Sequence, residues 1–184
     1  MSDHHVFRNQ QSSDFWEECE AEIPSPYLEI VMEILCSLNA LGSTTSVRSE
    51  YSSRGEYAFQ GKTSLLDHSI HVARICLSQS ELSIVRNLAV IAGLGHDLGK
   101  LSLVCQGKYT AIMHAYYGAE YVSRIIGERL IEQQAEAVVS AIRGHNIAGK
   151  GAVHRVLREA DSLARSREFL GALDRIVEAK GARR

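Results

Sequence analysis

His96 and Asp97 stand side by side at the end of Ile91-Ala92-Gly93-Leu94-Gly95-His96-Asp97-Leu98-Gly99-Lys100, a stretch that is otherwise small and aliphatic up to Gly99. Imidazole nitrogen and carboxylate oxygen are both good ligands for first-row metal ions, and an adjacent pair can serve one ion or bridge two. Three further histidines, His68, His114 and His145, and one further aspartate, Asp161, stand where they could complete such a site. Six nitrogen and oxygen ligands without sulfur suit one octahedral ion or, better, two ions sharing a carboxylate. A single helical histidine is more often a satisfied core or surface residue than a ligand; the joint pattern is what points to metal.

The elements that must position these side chains read as helices. Leu28, Ile30, Val31, Ile34, Leu35 and Leu38 recur at helical spacing over 27–41. Ser64-Leu65-Leu66-Asp67 has the spacing of a capping box and opens a helix through about Ser78 that carries His68. A nearly all-apolar helix from Ser80 or Ser83 runs toward His96 and belongs in a buried position. Further helices are expected at about 114–126, 130–143, 152–164 and 166–179, with Ser-, Gly- and Tyr-rich residues 43–62, the connector 98–112 and the Gly-rich 144–151 as loops. No strand-period run longer than a few residues and no internal repeat is present. The expectation is an all-α bundle of about seven helices, with a polar, partly ordered segment at 1–25 and one domain over 26–184. The candidate ligands fall at or one turn inside helix ends, where a bundle brings side chains together.

The motifs Ser64-Leu65-Leu66-Asp67-His68-Ser69, Ala92-Gly93-Leu94-Gly95-His96-Asp97-Leu98-Gly99-Lys100 and Ala160-Asp161 resemble the signature of the HD-domain superfamily of metal-dependent phosphohydrolases. The resemblance covers roughly residues 60–165. His114 and His145 resemble the two extra histidines of its binuclear branches, whereas the Gly-Tyr-Pro signature of the HD-GYP subgroup is absent. The resemblance implies an HD-type helical domain in which Asp97 bridges two divalent ions. His68, His96 and Asp161 then serve one ion, and His114 and His145 the other. Iron or manganese are the first expectations; nickel, cobalt, magnesium and zinc are compatible with the same ligand types. Two such ions acidify a shared water and clamp a phosphoryl oxygen against it, so hydrolysis of a nucleotide, dinucleotide or related phosphoester is the expected chemistry. The alternatives are a diiron oxygenase on the same scaffold, and a metal- or nucleotide-binding accessory module in nucleic-acid processing.

Around the six ligands, Lys100 lies one turn after Asp97 and could act on a phosphate as a point charge, with a helix-dipole role as the competing reading. Lys150 in the Gly-rich loop, Arg155 and Arg158 at the head of the helix leading to Asp161, and His71 one turn from His68 are candidates for contacting the substrate; His4, His5 and His154 read as surface. Composition excludes little. The 184 residues suffice for one domain with a substantial core, and a net charge of -2 exerts no global pull on nucleic acid or anionic membrane. The many arginines of 143–184 nonetheless keep nucleic acid open as a substrate. Four scattered cysteines without a C-x-x-C pair argue against a disulfide framework, and with no signal-peptide pattern and no membrane-length apolar run the expected compartment is the cytoplasm.

Overall fold

The run Ser83–Gly95 forms a helix whose residues from Asn87 to Gly95 are all buried, the position its all-round apolar character calls for. The computed structural model of the chain describes residues 7, 9–42, 46, 63–79, 82–105, 113–147 and 149–181. Among these the elements are α1 (Gln10–Glu22), α2 (Tyr27–Leu41), α3 (Leu65–Leu77), α4 (Ser83–Gly95), a 3-10 turn (Leu98–Lys100), α5 (Ser102–Cys105), α6 (Met113–Ile126), α7 (Glu132–Gly144) and α8 (Ala152–Gly181). The class is all-α, and no β-strand occurs among the described residues.

Helix α4 is the axis of the bundle and packs against α2, α3, α7 and α8. Its approach to α3 is close because Gly93 lies against the Ala73 backbone, where a Cβ would come within 3.2 Å of Ala73 Cα. Ser64 caps α3, its hydroxyl accepting a hydrogen bond from the Asp67 backbone N–H at 3.0 Å, as the spacing predicts.

Three differences from the expected elements have physical causes. The polar start of the chain contains a helix, α1, capped by the Asn9 side chain, which accepts from the Gln11 backbone N–H. It docks because Phe15 and Cys19 lie on one face and are fully buried in the common core. The connector after Asp97 is not all loop: its first part is the 3-10 turn and α5, while 106–112 lie outside the described residues, as does nearly all of 43–62. The two helices expected at 152–164 and 166–179 are one, α8, about 45 Å long by the rise of an α-helix. No glycine or proline interrupts it there, and Ser166 spends its hydroxyl on the Ser162 carbonyl oxygen at 2.9 Å. Ala164, Glu168 and Ala172 are buried along the continuing face. That continuity carries Asp161, Arg165 and Glu168 on one helix surface.

No helix among the described residues is long and apolar enough to cross a membrane. All four cysteines are free thiols.

Candidate metal centre

Helix α4 stops at Gly95, and Asp97 takes φ -105° and ψ 3°, the sparsely used bridge region, before the 3-10 turn closes with Lys100 N–H donating to the Asp97 carbonyl at 2.9 Å. This abrupt exit turns the Asp97 carboxylate into the bundle, where the side chain is 2% exposed. The four histidines converge on it from four different helix segments. On one side of the carboxylate, Oδ2 faces His96 Nε2 at 3.4 Å and His68 Nε2 at 3.8 Å. On the other, Oδ1 faces His114 Nε2 at 3.4 Å and His145 Nε2 at 3.8 Å. Asp161 on α8 adds Oδ1 at 3.2 Å from His68 Nε2 and 3.9 Å from His96 Nε2. All six residues singled out in the sequence as ligands are brought together.

The outer nitrogens of three rings fix which atom faces inward. His68 Nδ1 meets Glu168 Oε1 at 2.8 Å, His96 Nδ1 the Gly93 carbonyl oxygen at 2.8 Å, and His145 Nδ1 the Ile142 carbonyl oxygen at 2.7 Å. Each partner can only accept, so each Nδ1 carries the proton and the neutral ring presents a lone pair at Nε2. Those lone pairs point at carboxylate oxygens. His68 Nε2, His96 Nε2 and Asp161 Oδ1 are buried and make no hydrogen bond. Buried acceptors facing one another are costly unless positive charge lies between them. A divalent cation supplies that charge, and histidine nitrogens oriented by acceptors on their far side are the usual arrangement around a bound metal. The residues therefore fit metal ions. His68, His96 and Asp161 bring their ligand atoms within 4.8 Å of one another, and so do His96, Asp97 and His145. His96 thus reaches both groups, with its ring centroid 5.1 Å from that of His145, whereas the family resemblance implies a place beside His68 and Asp161 alone.

The electrostatics run the same way. Burial works against the Asp97 carboxylate, but Lys100, His96 and His114 outweigh it and hold its pKa well below the ordinary value. Burial opposes Asp161 too, and His68 and His96 reverse the effect, lowering it as well. For His96 burial disfavours the charged ring, yet Asp97 and Asp161 together raise its pKa. Burial followed by the neighbouring His96 takes His145 down to about 4, leaving it neutral and ligand-competent at physiological pH.

Two residues of this centre escape a reading of the sequence. Glu168 is buried on α8, accepting from His68 and, at 3.2 Å, facing His71 Nδ1 through the same Oε1. Arg165 reaches Asp97 Oδ2 at 3.5 Å and Glu168 Oε2 at 3.4 Å, and donates to the Ser46 hydroxyl at 2.8 Å. The available signal is the spacing Asp161, Arg165, Glu168 along an uninterrupted helix, but charged residues at i, i+4 and i+7 are equally common on solvated faces.

Glu168 holds the His68 ring in place from behind. Burial opposes its charge, but hydrogen bonds from His68 and His71 bring its pKa down to about 2, below the ordinary 4.5. In metal-free protein its contribution to stability is therefore present above pH 4.5 and lost as the pH falls toward 2. Glu168→Gln should flatten that limb of a plot of Tm against pH and weaken metal binding by about 10- to 100-fold. An unchanged pH profile together with unchanged metal affinity rejects the role.

The candidates for substrate contact divide. Lys100 stays in the centre, but its ammonium is committed to Asp97 Oδ2 and to the Ser46 carbonyl oxygen. His71 is 39% exposed beside Glu168, at the edge of the cluster. Arg155 and Arg158 line a depression on α8 whose lining includes none of the six clustered residues, and Lys150 is exposed on the approach to α8 beside Ile131 and Val153. His154 is not a surface residue: it is buried, and its Nε2 contacts the Gly144 carbonyl oxygen at 2.9 Å. Gly149 makes room for it, since a Cβ there would come within 2.5 Å of the ring.

The family model described as HD domain matches residues 65–175, which is more than half of the chain and contains all six clustered residues. The chain belongs to the HD domain family, a superfamily of metal-dependent phosphohydrolase type. No curated protein and no solved structure matches it.

Proposed function

We propose that the protein hydrolyses a phosphoester of a nucleotide, dinucleotide or related small molecule at a centre of two divalent ions, iron or manganese first among the candidates. The observation that carries this reading is the Asp97 carboxylate, whose two oxygens each face a separate pair of imidazole Nε2 atoms. In this reading His68, His96, Asp161 and Asp97 would hold one ion, and His114, His145 and Asp97 would hold the other. The chemistry that ions bound there would supply is an acidified water and neutralisation of charge developing on the phosphoryl group.

The chain's own groups do the rest. Lys100 holds Asp97 in place and keeps it ionised, rather than swinging out to substrate. Arg165, one-fifth exposed beside both aspartates, would exchange part of its contact with Ser46 and Glu168 for a phosphoryl oxygen. Asp161, 26% exposed against 2% or less for His68, His96, Asp97 and His145, marks the side from which substrate enters. His71 borders that site across Glu168, and Arg155, Arg158 and Lys150 would meet only the outer parts of a larger substrate.

The reading is tested by metal analysis of anaerobically purified protein, followed by a phosphate-release screen over nucleotides and dinucleotides. About two ions per chain and metal-dependent phosphate release are expected. Oxygen uptake with a mixed-valent iron signal, and no phosphate release, would instead identify an oxygenase.

A further inference from the structure

On the far side of Glu168 from the clustered histidines lies a cavity of about 440 Å³ between α3 and the C-terminal half of α8. Its size falls in the range of pockets that hold small organic ligands. Its floor is apolar, formed by Ile75, Ala164 and Gly171, and its rim carries Arg74, Arg167 and Arg175. Arg74 is engaged by Glu18 at 2.9 Å, but Arg167 and Arg175 are exposed and have no carboxylate partner among the described residues. The single acidic residue in the lining, Glu168, offers the cavity little negative charge, because both its oxygens are spent on His68, His71 and Arg165. Two uncommitted guanidiniums above an apolar floor match a ligand with an anionic end and a flat or apolar body. Neither Asp97 nor any of its four histidines lines the cavity.

We propose that this cavity is a second binding site, separate from the metal centre, for a phosphorylated small molecule of nucleotide size, with its phosphate on Arg167 and Arg175 and its body against Ile75, Ala164 and Gly171. The occupant would lie next to the metal centre without entering it, since Glu168 and His71 form the shared wall.

Adenosine monophosphate titrated calorimetrically into the full-length protein is the probe. Two kinds of variant separate this cavity from the metal centre. Arg167→Ala and Arg175→Ala each remove an exposed guanidinium and should weaken binding by about tenfold apiece. Gly171→Leu fills the floor; a Cβ there would meet nothing nearer than Arg175 Nη1 at 3.9 Å, so the fold should keep its Tm while binding is lost. Metal content should not change in any of the three. Failure of the wild-type chain to bind adenosine monophosphate, guanosine monophosphate or pyrophosphate at millimolar concentration overturns the proposal. Binding that survives all three substitutions but disappears in Asp97→Ala overturns it too, by placing the ligand at the metal centre alone. Absence of hydrolytic activity leaves these binding results standing, so the two proposals can fail separately.

Discussion

If the proposed two-ion hydrolytic centre is right, Asp97→Ala should empty both proposed metal positions at once and reduce phosphate release by about 10³-fold or more, the scale of several kcal/mol of lost transition-state stabilisation. The expectation of a simultaneous loss follows from geometry. Oδ2 lies among His68 and His96, Oδ1 among His114 and His145, so among the described residues the Asp97 carboxylate spans both sets of nitrogens through separate atoms. Removing the carboxylate also frees the Lys100 ammonium and leaves the charge of Arg165 less compensated, so positive charge is left where the proposed ions would bind. Metal content per chain, measured alongside activity, decides the matter. If the variant retained one full equivalent of metal, Asp97 would be a ligand of a single ion and the bridging role would be wrong. Retention of both ions with full activity would move the centre elsewhere.

Gly99→Ala should lower stability by about 1–3 kcal/mol, the cost of forcing extra volume into a packed interior. Gly99 lies in the 3-10 turn directly against α6: a Cβ there would overlap the His114 carbonyl oxygen and come within 2.8 Å of the Gly118 backbone nitrogen. Both obstacles are main chain, so no side chain can swing aside, and α6 must move away from the turn. For a chain of this length the loss corresponds to roughly 2–4 °C of Tm per kcal/mol. The displaced helix carries His114, whose Nε2 sits 3.4 Å from Asp97 Oδ1. A shift of about 1 Å there is expected to cost about 10²-fold in activity, so metal occupancy at the His114 side and turnover should fall together. A Gly99→Ala protein with unaltered Tm and metal content would show that the turn and α6 are not in this contact.

Sequence and structure divide the site unevenly. The helix over Tyr27–Leu41, the capped start of α3 and the buried character of α4 follow from periodicity and one serine, because those signals act within a few residues. Helix α1 was masked by its composition: only Phe15, Cys19 and Ser12 are buried in it, too few to stand out against Glu17, Glu18, Glu20 and Glu22. The continuity of α8 through Ala164-Arg165-Ser166 was equally hidden, since a polar stretch without glycine or proline is compatible with either a break or a surface turn of helix.

By itself the sequence determined the all-α class and a match to the HD pattern, and it named six nitrogen and oxygen donors that the fold brings together, because donor chemistry and helical period are properties of residue type and spacing. It could not determine which oxygen of Asp97 meets which histidine, that Lys100 is consumed by Asp97 and Ser46, or that Glu168, far from His68 in the chain, is the acceptor behind it. Those are decided by how α3, α4, α6, α7 and α8 close around one carboxylate. Contacts between residues as distant as His68 and Glu168 depend on the packing of whole helices, and local pattern carries no record of that packing.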